Sequence, residues 1–270
     1  MFDHAPDTDV LLPFAQSAPY AHAARACGAT VFTADLGIGQ AQVVQRGRLR
    51  LISRGPVWEA VASPGAQSLA LRRFARWPGV TLATPEAAMA GLGLIPLVTP
   101  MHHAVWDLAG DPRARMVGKW RNRLTSGERG GIRCVPGDRT TLAHLVAEDA
   151  SKSRARAYRG HSAAFTNALP DDSLRLWQWR VGGQIAAAMA FVVHGSSASY
   201  HLSWAGPEAR KRAVHNAMLW QAATALRAEG VRWLDLGSVN DEDAPGLAAF
   251  KLGTGAALRR LGPTLLVVPG

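Results

Sequence analysis

Phe250 and Lys251 stand side by side in LDLGSVNDEDAPGLAAFKLGTGA, residues 234–256, and are the first candidates for chemistry. The segment starts as a short apolar strand, passes through a glycine and acidic loop, and ends in a helix before LGTG. Such a run is consistent with a phosphate-binding loop, a solvated turn or part of an acyl-transfer site. A lysine ammonium can stabilise an oxyanion or a phosphate. It is also simply favoured by the dipole at a helix C-terminus, and Phe250 equally suits core packing.

Two further ionisable residues, Asp235 and His201, lie in predicted strands. Asp235 is near the carboxyl end of VRWLDLG, where α/β folds place their sites, although an aspartate there also caps the next loop. Along SYHLSW, strict alternation predicts His201 and Ser203 on the face opposite Tyr200 and Trp204. An imidazole of near-neutral pKa can accept the proton of an attacking amine, but a strand histidine also serves as a core or surface residue.

An anion site is predicted where the strand SYHLSWAG meets the helix that begins PEARKRAVHNAMLW. Backbone N–H groups at a helix start bind phosphate, and basic side chains would assist them. The candidates for this role are Gly206, Arg210, Lys211, Arg212, His215 and Asn216. A structural explanation is equally available, since Pro207 suits the first helical position, and Glu208 complements the dipole and partly opposes an anion.

Other phosphate-binding, hydrolase and metal motifs are absent from the sequence. There is no G-x-x-x-x-G-K-[ST], and LGTG follows a helix instead of joining a strand to a helix. No G-x-S-x-G nucleophile elbow occurs. The adjacent His102 and His103 would point apart, so we expect no metal site. Cys27 and Cys134 are too few for a disulfide framework, and we expect both to be small buried hydrophobes.

The formal net charge of +10 is concentrated in the C-terminal part of the 270 residues. Residues 1–110 hold 8 basic and 7 acidic residues, whereas residues 111–270 hold 22 basic and 13 acidic ones. This excess suits polyanionic ligands such as coenzyme phosphates or RNA, although a high-GC genome also yields an Arg-rich chain. Lys251 is one of 4 lysines beside 26 arginines. We expect a cytoplasmic protein without membrane insertion, because no apolar run approaches the roughly 20 residues of a membrane span.

The predicted helices and strands follow the same order twice. After an N-terminal helix, the first half has three strands, a helix, a strand, a short helix from Pro85 and a strand. After a basic helical middle, the second half has three strands, one long helix over residues 207–230, a strand, a short helix and a closing hairpin over residues 256–270. The shared order β-β-β-α-β-α-β predicts an α/β fold of mixed sheets flanked by helices, in units of residues 1–110 and 111–270.

This pattern resembles the FemAB-like branch of the GNAT superfamily, which includes BioF2-like acetyltransferases and the tRNA-dependent Fem aminoacyltransferases of peptidoglycan synthesis. The resemblance covers roughly residues 115–260 and rests on KWRNRL, SYHLSWAG, HNAMLW, LDLG and AAFKLGTG in that order. It implies tandem GNAT-like units, of which the second is catalytic and the first is degenerate and either structural or acceptor-binding. It implies transfer of an acetyl or aminoacyl group from an activated donor to the amine of a small molecule or peptide. The donor's acyl carbonyl would lie between two splayed strands.

The resemblance carries an active-site Phe-Lys pair to Phe250 and Lys251, whose ammonium would stabilise the oxyanion or a donor phosphate. GNAT enzymes that use acetyl-CoA commonly show [QR]-x-x-G-x-[GA], whereas the frame from Arg210 to His215 lacks both glycine-like positions. The donor therefore stays open between acetyl-CoA or another acyl-CoA and aminoacyl-tRNA. Two alternatives also stay open: a Fem-type aminoacyltransferase of cell-wall precursors, and a catalytically inactive module that binds RNA or another anion.

Overall fold

The computed structural model describes residues 10–156 and 160–270. They form two β-sheets of seven strands each, flanked by helices. Both sheets are mixed, since each contains antiparallel neighbours and a parallel pair. This architecture confirms the predicted α/β fold.

The chain divides into two compact units. The first unit comprises Leu12–His103 and Arg259–Gly270, and the second comprises Ala104–Leu258 with residues 10 and 11. This division differs from the predicted units 1–110 and 111–270 chiefly at the C-terminus, where the last residues rejoin the first unit. They do so because the final strand pairs with two strands of the first sheet.

The first sheet takes strands from both ends of the chain. Its unit contains a 3₁₀ turn (Phe14–Gln16), α1 (Ala18–Ala26), β1 (Thr30–Asp35), β2 (Gly39–Arg46), β3 (Leu49–Ser53), β4 (Val57–Trp58), α2 (Pro64–Phe74), β5 (Val80–Thr84), β6 (Leu94–Val98) and β14 (Thr264–Val267). The strand order is β1-β2-β3-β5-β14-β6, and β4 pairs with β2. Helix α2 begins at Pro64 under a Ser63 cap and buries Leu71 against the sheet.

The second sheet holds the segments that the sequence singles out. Its elements are β7 (His102–Asp107), α3 (Gly118–Arg129), β8 (Val135–Pro136), α4 (Arg139–Arg156), α5 (Ala163–Asn167), a 3₁₀ turn (Asp171–Ser173), β9 (Leu174–Val181), β10 (Gln184–His194), β11 (Ser197–Ala205), α6 (Pro207–Lys211), α7 (Val214–Ala228), β12 (Trp233–Val239), α8 (Pro245–Leu252) and β13 (Ala257–Arg260). The strand order is β13-β7-β12-β11-β10-β9-β8. The apolar face of α7 is buried, with Val214, Met218 and Leu219 in one core cluster with Phe191 of β10.

Strands β11 and β12 separate part-way along their length. Their parallel pairing ends where Ser199 faces Asp235. Beyond this point β11 continues to Ala205 and β12 to Val239, and the two described strands no longer pair with each other. The ends of the two strands are therefore separated by a gap in the hydrogen-bond ladder, as the resemblance implied.

Three predicted elements are wrong. The described residues from Pro85 to Gly93 contain no helix. The predicted hairpin over residues 256–270 does not form, because β13 pairs with β7 whereas β14 pairs with β5 and β6. The predicted single helix over residues 207–230 is divided into α6 and α7.

The break between α6 and α7 has a packing cause. Ala209 and Val214 are both fully buried in the same core cluster. On a straight α-helix, residues five positions apart point about 140° away from each other, so they would not share one buried face. Ala213 adopts a left-handed conformation with φ of 54° and lets α7 start in a new direction. Such a residue costs roughly 1–2 kcal/mol, which the second buried face offsets.

A β-bulge at His201 changes the alternation that the sequence predicts. The register of β11 against β10 passes from Tyr200 directly to Leu202, so His201 is the extra residue. Strict alternation places Tyr200 and Ser203 on opposite faces, yet their side chains are hydrogen-bonded. The predicted facing of β11 is therefore wrong beyond Tyr200, because the bulge turns the following side chains over.

Candidate active site

Lys251 reaches from α8 to the unpaired end of β12. Its side chain is buried, and Nζ donates a 2.7 Å hydrogen bond to the carbonyl oxygen of Ser238. A Cβ placed on the neighbouring Gly237 would lie 3.6 Å from the same Nζ. The ammonium therefore rests against the β12 backbone just beyond Asp235, the last residue that pairs with β11.

Burial gives Lys251 an unusual acidity. It lowers the pKa of the ammonium from 10.5 to about 8, while the charge of Asp235 acts in the opposite direction. The unfolded chain therefore binds more protons than the folded one between pH 8 and pH 10.5. Stability rises with pH across that window, and the full cost of burial, about 3 kcal/mol, is present below it. A lysine whose pKa burial lowers and which lies near a buried carboxylate is a candidate functional residue.

Asp235 caps the turn at the end of β12, as one of its two predicted roles requires. It is buried, and its Oδ1 accepts a 2.7 Å hydrogen bond from the N–H of Gly237. Gly237 has φ of 80°, a left-handed conformation that glycine adopts without a Cβ clash. This turn belongs to the same backbone stretch that offers the Ser238 carbonyl to Lys251. Asp235 thus shapes the end of β12, and its charge favours the ammonium form of Lys251.

Phe250 packs between two rings from other helices. Its ring centroid lies 6.1 Å from that of Trp120 in α3 and 6.1 Å from that of His215 in α7. Trp120 Nε1 donates a 2.9 Å hydrogen bond to the carbonyl oxygen of Phe250. His215 Nε2 donates a 3.0 Å hydrogen bond to the carbonyl oxygen of Trp204 near the end of β11. These contacts bring Phe250 and His215 together and join α3, α7, α8 and β11 next to Lys251.

The glycines of LGTG allow close packing. A Cβ on Gly253 would lie 2.6 Å from Cδ1 of Trp120, and one on Gly255 would lie 2.5 Å from the carbonyl oxygen of Arg115. Thr254 is fully buried, and its Oγ1 donates a 2.7 Å hydrogen bond to the carbonyl oxygen of Lys251. The segment therefore holds the end of α8 in place, and these contacts account for its glycines without a phosphate.

His201 lies in a different cluster. Its Nε2 is 2.9 Å from Oγ1 of Thr166 in α5, and its ring stacks on His161 at a centroid distance of 5.5 Å. Burial, with a smaller effect of His161, lowers the pKa of His201 to about 3. The imidazole is therefore neutral at physiological pH, but such a low pKa makes it a weak proton acceptor. These contacts are with Thr166 of α5 and with His161 just before it, whereas Phe250 and Lys251 contact α3, α7 and β12.

The residues around α6 are already engaged. The N–H of Gly206 donates a 2.9 Å hydrogen bond to the carbonyl oxygen of Ala186 in β10. Lys211 forms a 3.0 Å surface ion pair with Glu208. The guanidinium of Arg212 lies over a tryptophan ring of β9 at 5.4 Å, and Arg210 is exposed. Because α6 has only five residues, it offers an anion less than a full-length helix start would.

The start of α7 is a better position for an anion. Ala213 is its N-cap residue and supplies no side-chain cap to the first turn. The first N–H groups of a helix have no partner within the helix, and they carry its positive dipole end. His215 and the buried Asn216 lie in this turn, which follows the separated part of β11 by one short helix. Of the predicted anion-site residues, His215 and Asn216 lie in this turn, and the N–H of Asn216 donates a 3.1 Å hydrogen bond to the carbonyl oxygen of Ala213.

Two components of the site carried little sequence signal. Trp120 stands in KWRNRL, but only the fold shows that it contacts Phe250 and Gly253. Ser238 contributes its backbone carbonyl, and such a role cannot be predicted from the residue type. Burial of Tyr200 in β11 raises its pKa to about 12, and its hydrogen bond to Ser203 opposes this shift.

Across the described residues, no three His, Cys, Asp or Glu side chains are grouped to hold a metal ion. Within the same ranges, no helix is long and apolar enough to cross a bilayer. Cys134 is buried, and burial raises the pKa of its thiol to about 12. Cys27 is partly exposed, in contrast to the expectation for it.

The segment from α3 to β14 matches a known family. Residues 119–264 match the family model described as an acetyltransferase (GNAT) domain, which is more than half of the chain. The chain belongs to this GNAT family. The GNAT chain is similar in structure to FemX, with a TM-score of 0.75 and 13% identity over 95% of this chain and 92% of that one. L-PGS from Bacillus licheniformis gives a TM-score of 0.59 and 14% identity over 93% and 88%. A comparison with curated proteins finds no significant match.

The match confirms the predicted activity class. The GNAT chain is an acyltransferase that moves an acyl group from an activated donor to an amine. The likeness to FemX confirms the predicted FemAB-like fold within the GNAT superfamily. The matched residues include Trp120, Asp235, Phe250 and Lys251. They also include the residues between Gly206 and Asn216 that are predicted to bind the acyl donor.

Proposed function

We propose that acyl transfer takes place at the gap between β11 and β12, with Lys251 as the principal charged group. The observation that carries the proposal is the buried ammonium of Lys251, which lies against β12 where this strand has left β11. No other lysine side chain described in the second unit is buried: Lys119 and Lys211 are exposed. A charge held in a partly dry site stabilises developing negative charge more strongly than one in water.

The chemistry assigns a distinct role to each residue. The neutral acceptor amine attacks the acyl carbonyl carbon and the carbonyl oxygen becomes negative. The bond to the donor's sulfur or ester oxygen then breaks as the carbonyl reforms, and the proton lost by the amine nitrogen ends on the departing sulfur or oxygen. We propose that Lys251 stabilises negative charge, either on the oxyanion or on a donor phosphate. Asp235 partly offsets the burial that lowers the pKa of Lys251, and it shapes the backbone of β12. Phe250 positions α8 through Trp120 and His215.

His201 has a smaller part in this proposal. Its low pKa makes it a weak base, so the acceptor amine is expected to reach the site already neutral. Its place at the bulge of β11 makes it a positioning residue for the strand that borders the gap.

The proposed donor is acetyl-CoA or another acyl-CoA, with aminoacyl-tRNA as the alternative. The uncapped first turn of α7 suits a pyrophosphate, and His215, Asn216 and Arg210 would border it. Gly206, Lys211 and Arg212 remain outer contacts in this proposal, since each already has a partner. The missing glycine-like positions in the frame from Arg210 to His215 keep the tRNA alternative relevant.

The proposed acceptor is the amine of a small molecule or peptide. The first unit, which we propose to be degenerate, would be structural or bind this acceptor. We propose a cytoplasmic location, because acyl-CoA and charged tRNA are both cytoplasmic compounds. No membrane insertion is part of the proposal.

A donor screen tests this function. The protein is heated with acetyl-CoA, longer acyl-CoAs and charged tRNA, and the melting temperature is recorded for each. A donor present at a hundredfold its Kd should add about 2.7 kcal/mol to the free energy of unfolding. Stabilising donors are then assayed with a panel of amines for acyl product, with and without ribonuclease.

The screen separates the alternatives. Product formation that resists ribonuclease supports acyl-CoA, and sensitivity to ribonuclease supports aminoacyl-tRNA. Salt-sensitive RNA binding without product from any donor would contradict the proposal and favour an inactive RNA-binding module.

A further inference from the structure

The first unit contains an open groove between α2 and the strands β1, β2 and β3. Its volume is about 620 Å³, and all its lining residues lie between Phe32 and Arg76. The candidate active site is built from residues of the second unit, so the groove is a separate feature. Its size falls within the range of roughly 300–1,000 Å³ that is common for small-molecule sites.

One part of the groove is apolar. Phe32 and Leu36 contribute from β1 and the following turn, and Leu69 and Phe74 contribute from α2. Leu69 is 43% exposed, although it belongs to a helix with a well-buried face. A ligand with an apolar body would remove this surface from water.

The other part of the groove is basic. Arg50, Arg73 and Arg76 line it, and the guanidinium of Arg50 lies 6.0 Å from the ring centroid of Phe74. Asp35 is the single acidic lining residue, and its Oδ1 accepts a 2.8 Å hydrogen bond from the N–H of Gly37. The groove therefore combines an excess of positive charge with an apolar wall.

Four other arginines of the first unit are occupied. Arg54 forms a two-pronged ion pair with Glu86, and Arg25, Arg46 and Arg72 donate hydrogen bonds to backbone carbonyls. Within the described residues, the three groove arginines form no ion pair with a carboxylate. A guanidinium offers a planar fork of donors that matches a carboxylate or a phosphate. The groove thus holds unused anion-binding capacity next to apolar surface.

We propose that this groove binds an amphiphilic organic anion. A carboxylate or phosphate head would contact Arg50 and Arg73, and an apolar body would cover Phe32, Leu36 and Leu69. The site is independent of the acyl-transfer chemistry, and its occupant is recognised by charge and apolar area together.

Isothermal titration calorimetry with four matched probes tests this proposal on the full-length protein. Octyl phosphate and octanoate, used below their critical micelle concentrations, carry both an anionic head group and an apolar chain. Octanol lacks the charge, and inorganic phosphate lacks the apolar chain. We expect both amphiphilic anions to bind at least tenfold more tightly than octanol or phosphate, and the tighter one identifies the head group.

Variants locate the binding. Arg50→Gln and Arg73→Gln should each weaken the amphiphilic anions about tenfold, as the loss of a charged hydrogen bond implies. Arg73 is exposed, so its replacement leaves the fold intact, and Arg260→Gln serves as a matched exposed control outside the groove. Equal affinity in the wild type and both groove variants would overturn the proposal, as would octanol that binds as tightly as octyl phosphate.

Discussion

The two sheets differ most at one strand pair that has the same place in both. In the first unit, β3 pairs in parallel with β5 along its whole length, from Leu49 to Ser53. In the second unit, β11 pairs in parallel with β12 over only three residues before the strands separate. In both units the pair joins the third strand of a β-β-β run to the strand that follows the next helix or helices. These are α2 in the first unit, and α6 and α7 in the second. The closed pair satisfies its own backbone groups, whereas in the separated pair the carbonyls of Ser238 and Trp204 accept hydrogen bonds from the side chains of Lys251 and His215.

The segments that follow the two pairs also differ. The described residues after β5 form no helix before β6, whereas β12 is followed by α8, which delivers Phe250 and Lys251. The first 118 residues of the chain contain no lysine. The comparison supports the proposal that the first unit is degenerate and that separation of the strands together with a buried lysine makes the second unit catalytic.

The largest effect is expected from Lys251→Met. Loss of a preorganised group that stabilises an oxyanion costs about a hundredfold to a thousandfold in turnover. The free energy of unfolding at pH 7 should stay equal or rise by about 1–3 kcal/mol, because a costly buried charge is removed. Steady-state kinetics and urea unfolding measure the two quantities. Lys119→Met is the matched control, since Lys119 is exposed. Parallel loss of stability and turnover would show that Lys251 is structural.

Gly253→Ala should have the next largest effect. Its Cβ would lie 2.6 Å from Trp120 and 2.7 Å from the carbonyl oxygen of Ala249, so α8 must move. We expect a stability loss of about 1–3 kcal/mol and a turnover loss of at least about tenfold. Gly246→Ala, in the same helix, meets no atom within 4 Å and should change stability by less than about 1 kcal/mol. Equal effects of the two variants on turnover would contradict the claim that turnover depends on the position of α8.

His201→Asn should have a moderate effect. Because the pKa of His201 is about 3, the residue is neutral throughout the working range and contributes as a positioning group. We expect less than about a tenfold loss of turnover and an unchanged pH profile, since base catalysis usually contributes about a hundredfold or more. A loss of a hundredfold, with disappearance of a limb of the profile, would assign His201 as the general base.

The smallest effect is expected in the closed sheet. Thr84 and Thr264 share a 2.9 Å hydrogen bond between their hydroxyls, and Thr84→Ala removes it. We expect a stability loss of about 1 kcal/mol and unchanged turnover. A large loss of turnover in a stably folded variant, measured in the same assay, would assign the first unit a direct part in the reaction.

The sequence predicted many elements from a single local rule, although the helix predicted from Pro85 is absent from the described residues. Alternating apolar strands and glycine turns give β1 to β3 and β9 to β11, and the Pro64 and Pro207 helix starts were also correct. The closing hairpin was wrong because β14 pairs with β5 and β6, which are far from it in sequence, and a local pattern cannot show such a pairing. The break at Ala213 depends on two buried faces, and an alanine gives no sign of a left-handed conformation.

The site was predictable only in part. Lys251 attracted notice as a rare lysine beside Phe250, and the structure adds that it is buried against β12. The bulge at His201 inverted the predicted facing of β11, because one extra residue changes every later position. The prediction for the start of the long helix included Gly206 and Lys211, whose N–H and ammonium are engaged elsewhere.

The pH dependence of kcat/KM for wild type and Lys251→Arg tests the central claim most directly. Rates with the donor and acceptor found by the screen are measured from about pH 6 to pH 10 and divided by the fraction of neutral acceptor amine. The ammonium of Lys251 titrates with a pKa of about 8, so the corrected wild-type rate should fall above that pH. Arginine keeps its charge, so the variant should lack this fall even if its rate is lower. Profiles that stay flat to pH 10 in the wild type, or fall equally in both proteins, would contradict the assignment of Lys251 as the acting charge.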